Sequence, residues 1–397
     1  MRTIVEIYDK DDLDNVLSAL VYAPERVVYI VPDGTDCQEL EQRYQPVLRR
    51  HGVHTEMRFI PVDLCSFSGI RRVLLTLLKE GGTFVFDMTG GNDISLAAMG
   101  AISAEHKVPL LRFEPESKRP HWYLGKCPFP TQRQPQLTCR DWFALYGAEG
   151  CADNRTFEEW NMDEELGKDV ELLWQFCAQD ISAWNDDCGF PARLVFKSSG
   201  VDPLQVSLSA ESFKKEMRRP KWDKEFLLYL NQHGLILDLS VTDTRVSFRI
   251  KNDQVLRVLK KAGNLLELYT CFTALSTGKY HDCRIGVYIN WEGTGSERKK
   301  ERWETTNELD VFLIRGVTPA FISCKNGEVR NDALYELQSI ADRFGGKHVK
   351  KALVSTYVTP SSASRNHLYR RAEHMGIKLV GNVHKMTQEE FVKTLFE

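Results

Sequence analysis

The sequence predicts an α/β protein in three parts: an open parallel sheet with helices on both faces, a helical middle, and a C-terminal unit of order α-β-β-β-α-β. Three observations predict it. Short apolar runs alternate with amphipathic helical patterns across residues 1–125, as in a parallel sheet with crossover helices. Pro128, Pro130 and Pro135 then break the alternation, and 141–184 turns acidic and helical. Beyond Leu265, one helix precedes three strands with no helix between them.

In order, the N-terminal part reads as strand 3–7, helix 11–20, strand 26–31 closed by the turn Pro32-Asp33-Gly34, helix 37–50, strand 57–62, helix 69–79, strand 83–86, helix 94–105 and strand 109–113. In such sheets ligands sit beyond the carboxyl ends of the strands. Segment 126–253 reads as a helical linker and then a winged-helix-like module: a helix through 226–230 stopped by Gly234, a hairpin at 236–238 and 245–250, and a helix at 254–262. A plain spacer reads equally well there. Segment 254–397 carries strands at 284–290, 308–314 and 320–325, helix 332–344, strand 352–357, helix 365–375 and strand 377–380.

Composition narrows the class. At 397 residues, two or three domains are expected, and the apolar fraction of 42% suffices for their cores. No run of eighteen apolar residues exists, so no membrane span is expected. The start, MRTIVEIYDKDD, turns acidic too soon for a signal peptide. The ten cysteines are scattered and contain no Cys-x-x-Cys, which reads as buried free thiols in a reducing cytoplasm. A net charge of -3 argues against nucleic-acid binding through overall basicity. Contact with a strand would come from local patches: Lys214, Lys215, Arg218, Arg219 and Lys221; the run from Arg298 to Arg302; or Lys347, Lys350 and Lys351. Each of these reads equally as a solvated face.

The stretch NELDVFLIRGVTPAFISCKNG, from Asn307 to Gly327, carries the chemistry. Two buried strands joined by the turn Gly316-Val317-Thr318-Pro319 bring Asp310 and Lys325 to one end of a sheet. Ser323 and Lys325 share a face, and Cys324 points to the other. An acid beside an amine at the mouth of a sheet suits metal-dependent phosphodiester cleavage. The carboxylate holds Mg²⁺ or Mn²⁺, and the lysine steadies the attacking water and the developing charge.

With Glu267 on the preceding helix, Asp310 on the second strand and Lys325 on the third, segment 254–397 resembles the PD-(D/E)xK nuclease superfamily, whose fold is restriction-endonuclease-like. One position departs: Ser323 stands where the superfamily has Asp or Glu, and a hydroxyl is a poor magnesium ligand. Three explanations stay open. The cation relies on Asp310, the Cys324 backbone carbonyl and waters, helped by Glu267; or a carboxylate from further on, Glu328 or Glu336, has moved in; or the site is inactive. Glu308 points to the same face as Asp310, as a second ligand or a flanking acid.

The loop Asp87-Met88-Thr89-Gly90-Gly91-Asn92-Asp93 follows the fourth strand. By spacing alone it is a tight strand-to-helix turn. In its context it resembles the Thr-Gly-Gly-Thr-Lys loop of CARF domains, the Rossmann-like sensors of type III CRISPR ancillary proteins. Thr89, Gly90 and Gly91 match, and Asn92 and Asp93 replace the Thr-Lys. The resemblance implies a cyclic oligoadenylate bound across a homodimer interface, with Tyr8, Asp9 and Lys10 after the first strand and Gly34, Thr35 and Asp36 after the second completing the pocket. Lys10 is placed to supply the positive charge that Asp93 lacks. The whole chain resembles the single-CARF ancillary nucleases, with 126–253 matching least clearly. That implies a cytoplasmic homodimer activated by a cyclic oligoadenylate, the tetraadenylate being the expected ring, and cutting single-stranded DNA and/or RNA. The alternative is a ligand-responsive nucleic-acid-binding protein with an inactive nuclease fold.

Overall fold

The structure, a computed structural model, describes residues 1–114, 117–130, 132–152, 160–198, 202–217, 220–291, 306–358 and 362–396. The first sheet is built from β1 (Arg2–Ile7), α1 (Leu17–Tyr22), β2 (Arg26–Val31), α2 (Cys37–Arg50), β3 (Glu56–Pro61), α3 (Phe67–Lys79), β4 (Thr83–Asp87), α4 (Asp93–His106), β5 (Leu110–Phe113) and β6 (Pro120–Leu124). Its strand order is β3-β2-β1-β4-β5-β6, parallel except for β6 at the edge. The order reverses between β1 and β4, so a crevice lies beyond their carboxyl ends. Strands buried on both faces explain the unbroken apolar runs. Val5, Ile7, Val28, Ile30, Phe84 and Phe86 pack against α3 and α4, while Ile4, Val27, Tyr29 and Val85 belong to a second core on the other face.

The middle contains α5 (Cys139–Leu145), β7 (Glu149–Ala152), α6 (Glu164–Cys177), α7 (Ile181–Asp187), α8 (Phe190–Lys197), β8 (Gln205–Ser209), α9 (Ala210–Glu216), α10 (Pro220–Gln232), β9 (Ile236–Val241), β10 (Arg245–Ile250) and α11 (Asp253–Lys260). The hairpin β9–β10 takes β8 as a third strand, in the order β8-β10-β9. The C-terminal part runs α12 (Ala262–Ser276), β11 (Asp282–Asn290), β12 (Thr306–Arg315), β13 (Thr318–Glu328), α13 (Asn331–Phe344), β14 (Lys350–Tyr357), α14 (Ser362–His374), β15 (Ile377–Val380) and α15 (Gln388–Phe396). Its sheet is ordered β15-β14-β13-β12-β11-β7, antiparallel from β7 to β13 and parallel from β13 to β15.

Helix α5 joins the two sheets. The Phe143 ring stands 5.6 Å from Phe312 and 6.1 Å from both Phe321 and Phe344, and Trp142 Nε1 donates to the Phe344 carbonyl at 2.6 Å. One core therefore runs from the first sheet through α5 into the C-terminal sheet. Emptying such a site with Phe143→Ala would cost roughly 3–5 kcal/mol. The opposite face of the C-terminal sheet, with Val311, Leu313, Ile322 and Val354, shares its core with α12 and the middle helices.

Several expectations need correction. Residues 11–16 form turns, and α1 begins only at Leu17. The Asp9 carboxylate accepts the Asp11 amide at 2.9 Å and Asn15 Oδ1 accepts the Asp9 amide at 2.8 Å, local bonds that compete with a helix. Strands β6, β7 and β8 and helix α15 were not expected. The cysteines are not uniformly buried free thiols: Cys65 and Cys127 are exposed, Cys37 is half-buried, and Cys271 on α12 pairs as a disulfide with Cys283 on β11, their α-carbons 6.4 Å apart. The basic run from Arg298 to Arg302, and Arg218 and Arg219, lie outside the described residues. Among the described residues no helix is long and apolar enough to cross a membrane.

Candidate active site

The ladder between β12 and β13 ends at the pair Val311–Ile322. Beyond it the strands part, and the Asp310 side chain takes over the bonding. Its Oδ2 accepts the Cys324 amide at 2.7 Å and the Ser323 hydroxyl at 3.0 Å, and lies 3.5 Å from Lys325 Nζ. On the other side of β13, Cys324 Sγ is 3.8 Å from Thr270 Oγ1 of α12. The fork thus brings together Asp310, Ser323 and Lys325. Asp310 is largely buried, and the Lys325 side chain keeps 35% of its exposure, so the amine faces both the acid and solvent.

Glu267, on α12, is buried at the same fork. Burial first, and then the charges of Asp310 and Glu308, push its carboxyl up to about 8, against Lys261 and Lys325, which lower it. Lys261 Nζ lies 3.9 Å from Glu308 Oε1. Three carboxylates and two amines therefore share one electrostatic field. Asn326 fixes the neighbourhood: its Nδ2 donates to Asn185 Oδ1 at 2.6 Å and to the Ala262 carbonyl at 3.2 Å, and its Oδ1 accepts from Thr356 at 2.9 Å. Sequence reasoning did not single out Lys261, Asn326, Asn185 or Thr356. Asn326 stands next to Lys325, and that adjacency was the available signal; the others come from distant segments.

The donor set suits a hard divalent cation that keeps much of its water: the carboxylates of Asp310 and Glu267, with the Cys324 carbonyl beside them. Among the described residues no group of three or more His, Cys, Asp or Glu is drawn together as a ready cage. The crowding of negative charge that raises the Glu267 carboxyl is what such a cation would relieve. Glu328 lies exposed at the far end of β13, and Glu336 is exposed on α13, whose buried side carries Ala333, Leu334, Leu337 and Ile340. The charges acting on Glu267 include Glu308 and neither of these.

At the first sheet, the loops after β1 and β4 touch. Gly91 N–H donates to Asp9 Oδ2 at 3.1 Å. A Cβ on Gly90 would lie 2.7 Å from Asp9 Cβ, and Gly91 has φ +105 with Ile7 Cγ2 2.7 Å from where its Cβ would stand. Several side chains expected to face a ligand are used by the fold. Thr89 turns inward to Asp87 and accepts the Phe113 amide at 2.9 Å; Asn92 caps α4; Thr35 donates to the Pro32 carbonyl at 2.7 Å; and Asp36 caps α2. Lys10 and Asp93 remain exposed. Against burial, the Asp11 amide and Lys347 hold the Asp9 carboxyl below its usual range. Beneath the loops, Glu6 and Asp87 are register partners, and Glu6 Oε2 and Asp87 Oδ2 have no hydrogen-bond partner. Burial pushes Asp87 up to about 7 and raises Glu6, the latter further through the charge of Asp87.

A doubly wound domain, a helix-rich middle and a forked sheet carrying Glu, Asp and Lys define a Rossmann-like domain joined to a restriction-endonuclease-like domain. Residues 252–395 match the family model described as "Card1-like, endonuclease domain". No curated protein matches the chain. Among solved structures, protein VC1899 from Vibrio cholerae is similar over 100% of this chain and 98% of its own, at 22% identity and a TM-score of 0.74. Can2 from Sulfobacillus thermosulfidooxidans, solved in complex with cyclic tetra-adenylate, is similar over 100% of this chain and 97% of its own, at 17% identity and a TM-score of 0.64. The chain has the architecture of the CARF-plus-nuclease ancillary proteins, with a Card1-like endonuclease domain at its C-terminus.

Proposed function

We propose that this chain is a metal-dependent nuclease of type III CRISPR defence that acts as a homodimer, is switched on by a cyclic oligoadenylate, foremost the tetraadenylate, and cleaves single-stranded DNA and/or RNA. The observation that carries this reading is the cluster of Asp310, Lys325 and Glu267 at the fork of β12 and β13, inside the stretch that matches an endonuclease domain. The bound tetra-adenylate of Can2, a protein of the same fold, supports the choice of activator. Asp310 and Glu267 would hold Mg²⁺ or Mn²⁺, with the Cys324 carbonyl as a further ligand. A bound divalent ion lowers the pKa of its water and offsets charge on the phosphate. The Lys325 amine donates to the water or to a phosphate oxygen, and Ser323 fixes the Asp310 carboxylate at 3.0 Å. The activator works by binding one dimer arrangement more tightly than the other. It would sit beyond β1, β2 and β4, against the amides of Gly90 and Gly91 and the side chains of Lys10 and Asp93.

The test is a cleavage assay crossing DNA and RNA with Mg²⁺ or Mn²⁺, each with and without cyclic tri-, tetra- and hexa-adenylate. Asp310→Ala and Lys325→Ala should each abolish cleavage and leave activator binding intact; full activity in both removes the assignment. Ser323 in the place of an acid favours one other reading, a ligand-responsive nucleic-acid-binding protein. Absence of Mn²⁺ uptake by calorimetry, with strand binding retained, would select it.

A further inference from the structure

A cavity of about 500 Å³ opens in the C-terminal domain, lined by the starts of β13 and β14, by β15 and by the ends of α12 and α15. Thr318, at its edge, is five residues before Ser323, so the cavity lies roughly 17 Å from the fork along the strand. Its rim carries Arg315, Lys350 and Lys378, all exposed. Lys351 stands inside; its Nζ donates to Gln338 Oε1 at 2.8 Å and to the Met375 carbonyl, and burial holds its pKa below the usual lysine range. The floor is apolar, with Ile322, Tyr280 and Phe396, the two rings meeting edge-on at 5.6 Å. No acidic side chain lines it.

On a chain of net charge -3, this is a local cationic excess over an aromatic floor. Concave sites lined by one sign of charge concentrate counter-ions. Purely inorganic anions have no use for the floor, and apolar ligands have no use for the rim. A nucleotide uses both: its base packs on aromatic faces and its phosphate meets Arg and Lys. The volume falls in the range of small-ligand sites.

We propose that this cavity is a second nucleotide-binding site, separate from the fork, which takes one phosphate-bearing nucleotide, either as a unit of a bound single strand or as a free mononucleotide. Arg315, Lys350 and Lys378 hold the phosphate, and Tyr280 and Phe396 form the bed for the base. Its use in anchoring substrate rests on the nuclease reading; binding itself does not.

The test uses the full chain in EDTA, so that nothing is cut, with fluorescein-labelled single-stranded 12-mers of oligo(dA) and oligo(A), and AMP as competitor. The variant Arg315→Gln/Lys350→Gln/Lys378→Gln changes exposed side chains only. It should bind strands at least tenfold more weakly, with a log–log salt slope shallower by about 2, at ~0.7 per lost phosphate contact. Tyr280→Leu should weaken binding without changing that slope. Displacement of strand by AMP from the wild type, lost in the triple variant, identifies a free mononucleotide; insensitivity to AMP identifies the strand. Equal strand affinity, salt slope and AMP response in wild type and triple variant overturn the site. If the wild type cleaves nothing with metal and activator while the triple variant still loses strand binding, the nuclease reading falls and the site stands. If the wild type cleaves and the triple variant binds as tightly, the site falls alone.

Discussion

Lys347 Nζ lies 2.9 Å from Asp9 Oδ1 and 3.0 Å from Asp14 Oδ2, so a cation from the loop before β14 closes on the loop after β1. The other Asp9 oxygen holds the Gly91 amide. One carboxylate therefore ties the candidate ligand loops to the nuclease domain, and the Lys347 amide adds a 2.7 Å bond to Asp11 Oδ2. In Lys347→Met, Asp14 keeps Lys118 at 3.2 Å and Asp9 loses its cation. The Lys347 side chain is 45% exposed, so solvent screening limits the loss to about 1 kcal/mol. The expected result is a Tm lower by a few degrees and a smaller ratio of activator-stimulated to unstimulated cleavage. An unchanged ratio with a lowered Tm would reduce the bridge to a structural tie.

Ser323 offers a gain-of-charge test. Its hydroxyl is 3.0 Å from Asp310 Oδ2, so Ser323→Asp sets two carboxylates against each other. Like charges at that range oppose joint ionisation unless a cation lies between them. Without metal, Ser323→Asp should melt below wild type, by roughly 1–3 kcal/mol of stability. With Mn²⁺ its Tm should rise more than that of wild type, because binding to the folded state alone stabilises it. Asp310→Asn should show no Mn²⁺ shift. Equal Mn²⁺ shifts in all three proteins would place the cation elsewhere.

The sequence and the structure agree where burial is two-sided. The runs Val27–Val28–Tyr29–Ile30 and Phe84–Val85–Phe86 are strands that nothing but a parallel core explains. The strands that escaped notice, β6, β7 and β8, have sequences PHWYL, EGCA and QVSLS, and their assignment depends on a partner strand that is remote in sequence. Strand β7 pairs with β11, which no local pattern announces. Asp310 and Lys325 were legible because one short hairpin carries both, and Glu267 because it interrupts an apolar helix. Lys261 and Asn185 were not, since their place at the site exists only once α12 and α7 pack against β13. Lys347 was visible only as one cation of a basic patch; its partners lie more than three hundred positions away.

The buried pair Glu6–Asp87 makes stability depend on pH. Asp87 is raised to about 7 from its ordinary 3.8, and Glu6 is raised as well, both by burial first. A raised carboxyl favours the folded state fully below the unfolded pKa, and that contribution is lost as pH rises through the folded value. Tm should therefore fall between about pH 4 and pH 8 on account of this pair. In Asp87→Asn the side-chain oxygen can still accept from the Thr89 amide, now 2.8 Å from Asp87 Oδ1, and no charge needs burying. The fall in Tm across that window should shrink by about 2 °C or more. A variant that reproduces the wild-type Tm profile would show that the pair ionises without cost.

Gly91 separates a fold requirement from a ligand requirement. At φ +105 an alanine is strained, and its methyl would stand 2.7 Å from Ile7 Cγ2 and 3.0 Å from Ser95 Oγ. Ile7 is 1% exposed in the core and Ser95 closes the capping box of α4, so neither has room to give. Gly91→Ala should cost about 1–3 kcal/mol in the absence of any ligand, read by urea denaturation of the unliganded chain. Gly34, with φ +81 and open space around its Cβ position, is the control: Gly34→Ala meets the backbone strain without the clash and should lose less. If both variants lose the same, backbone conformation alone sets the need for glycine in these loops. If Gly91→Ala is as stable as wild type, the loop relaxes, and its close approach to β1 is not what positions the Gly91 amide on Asp9.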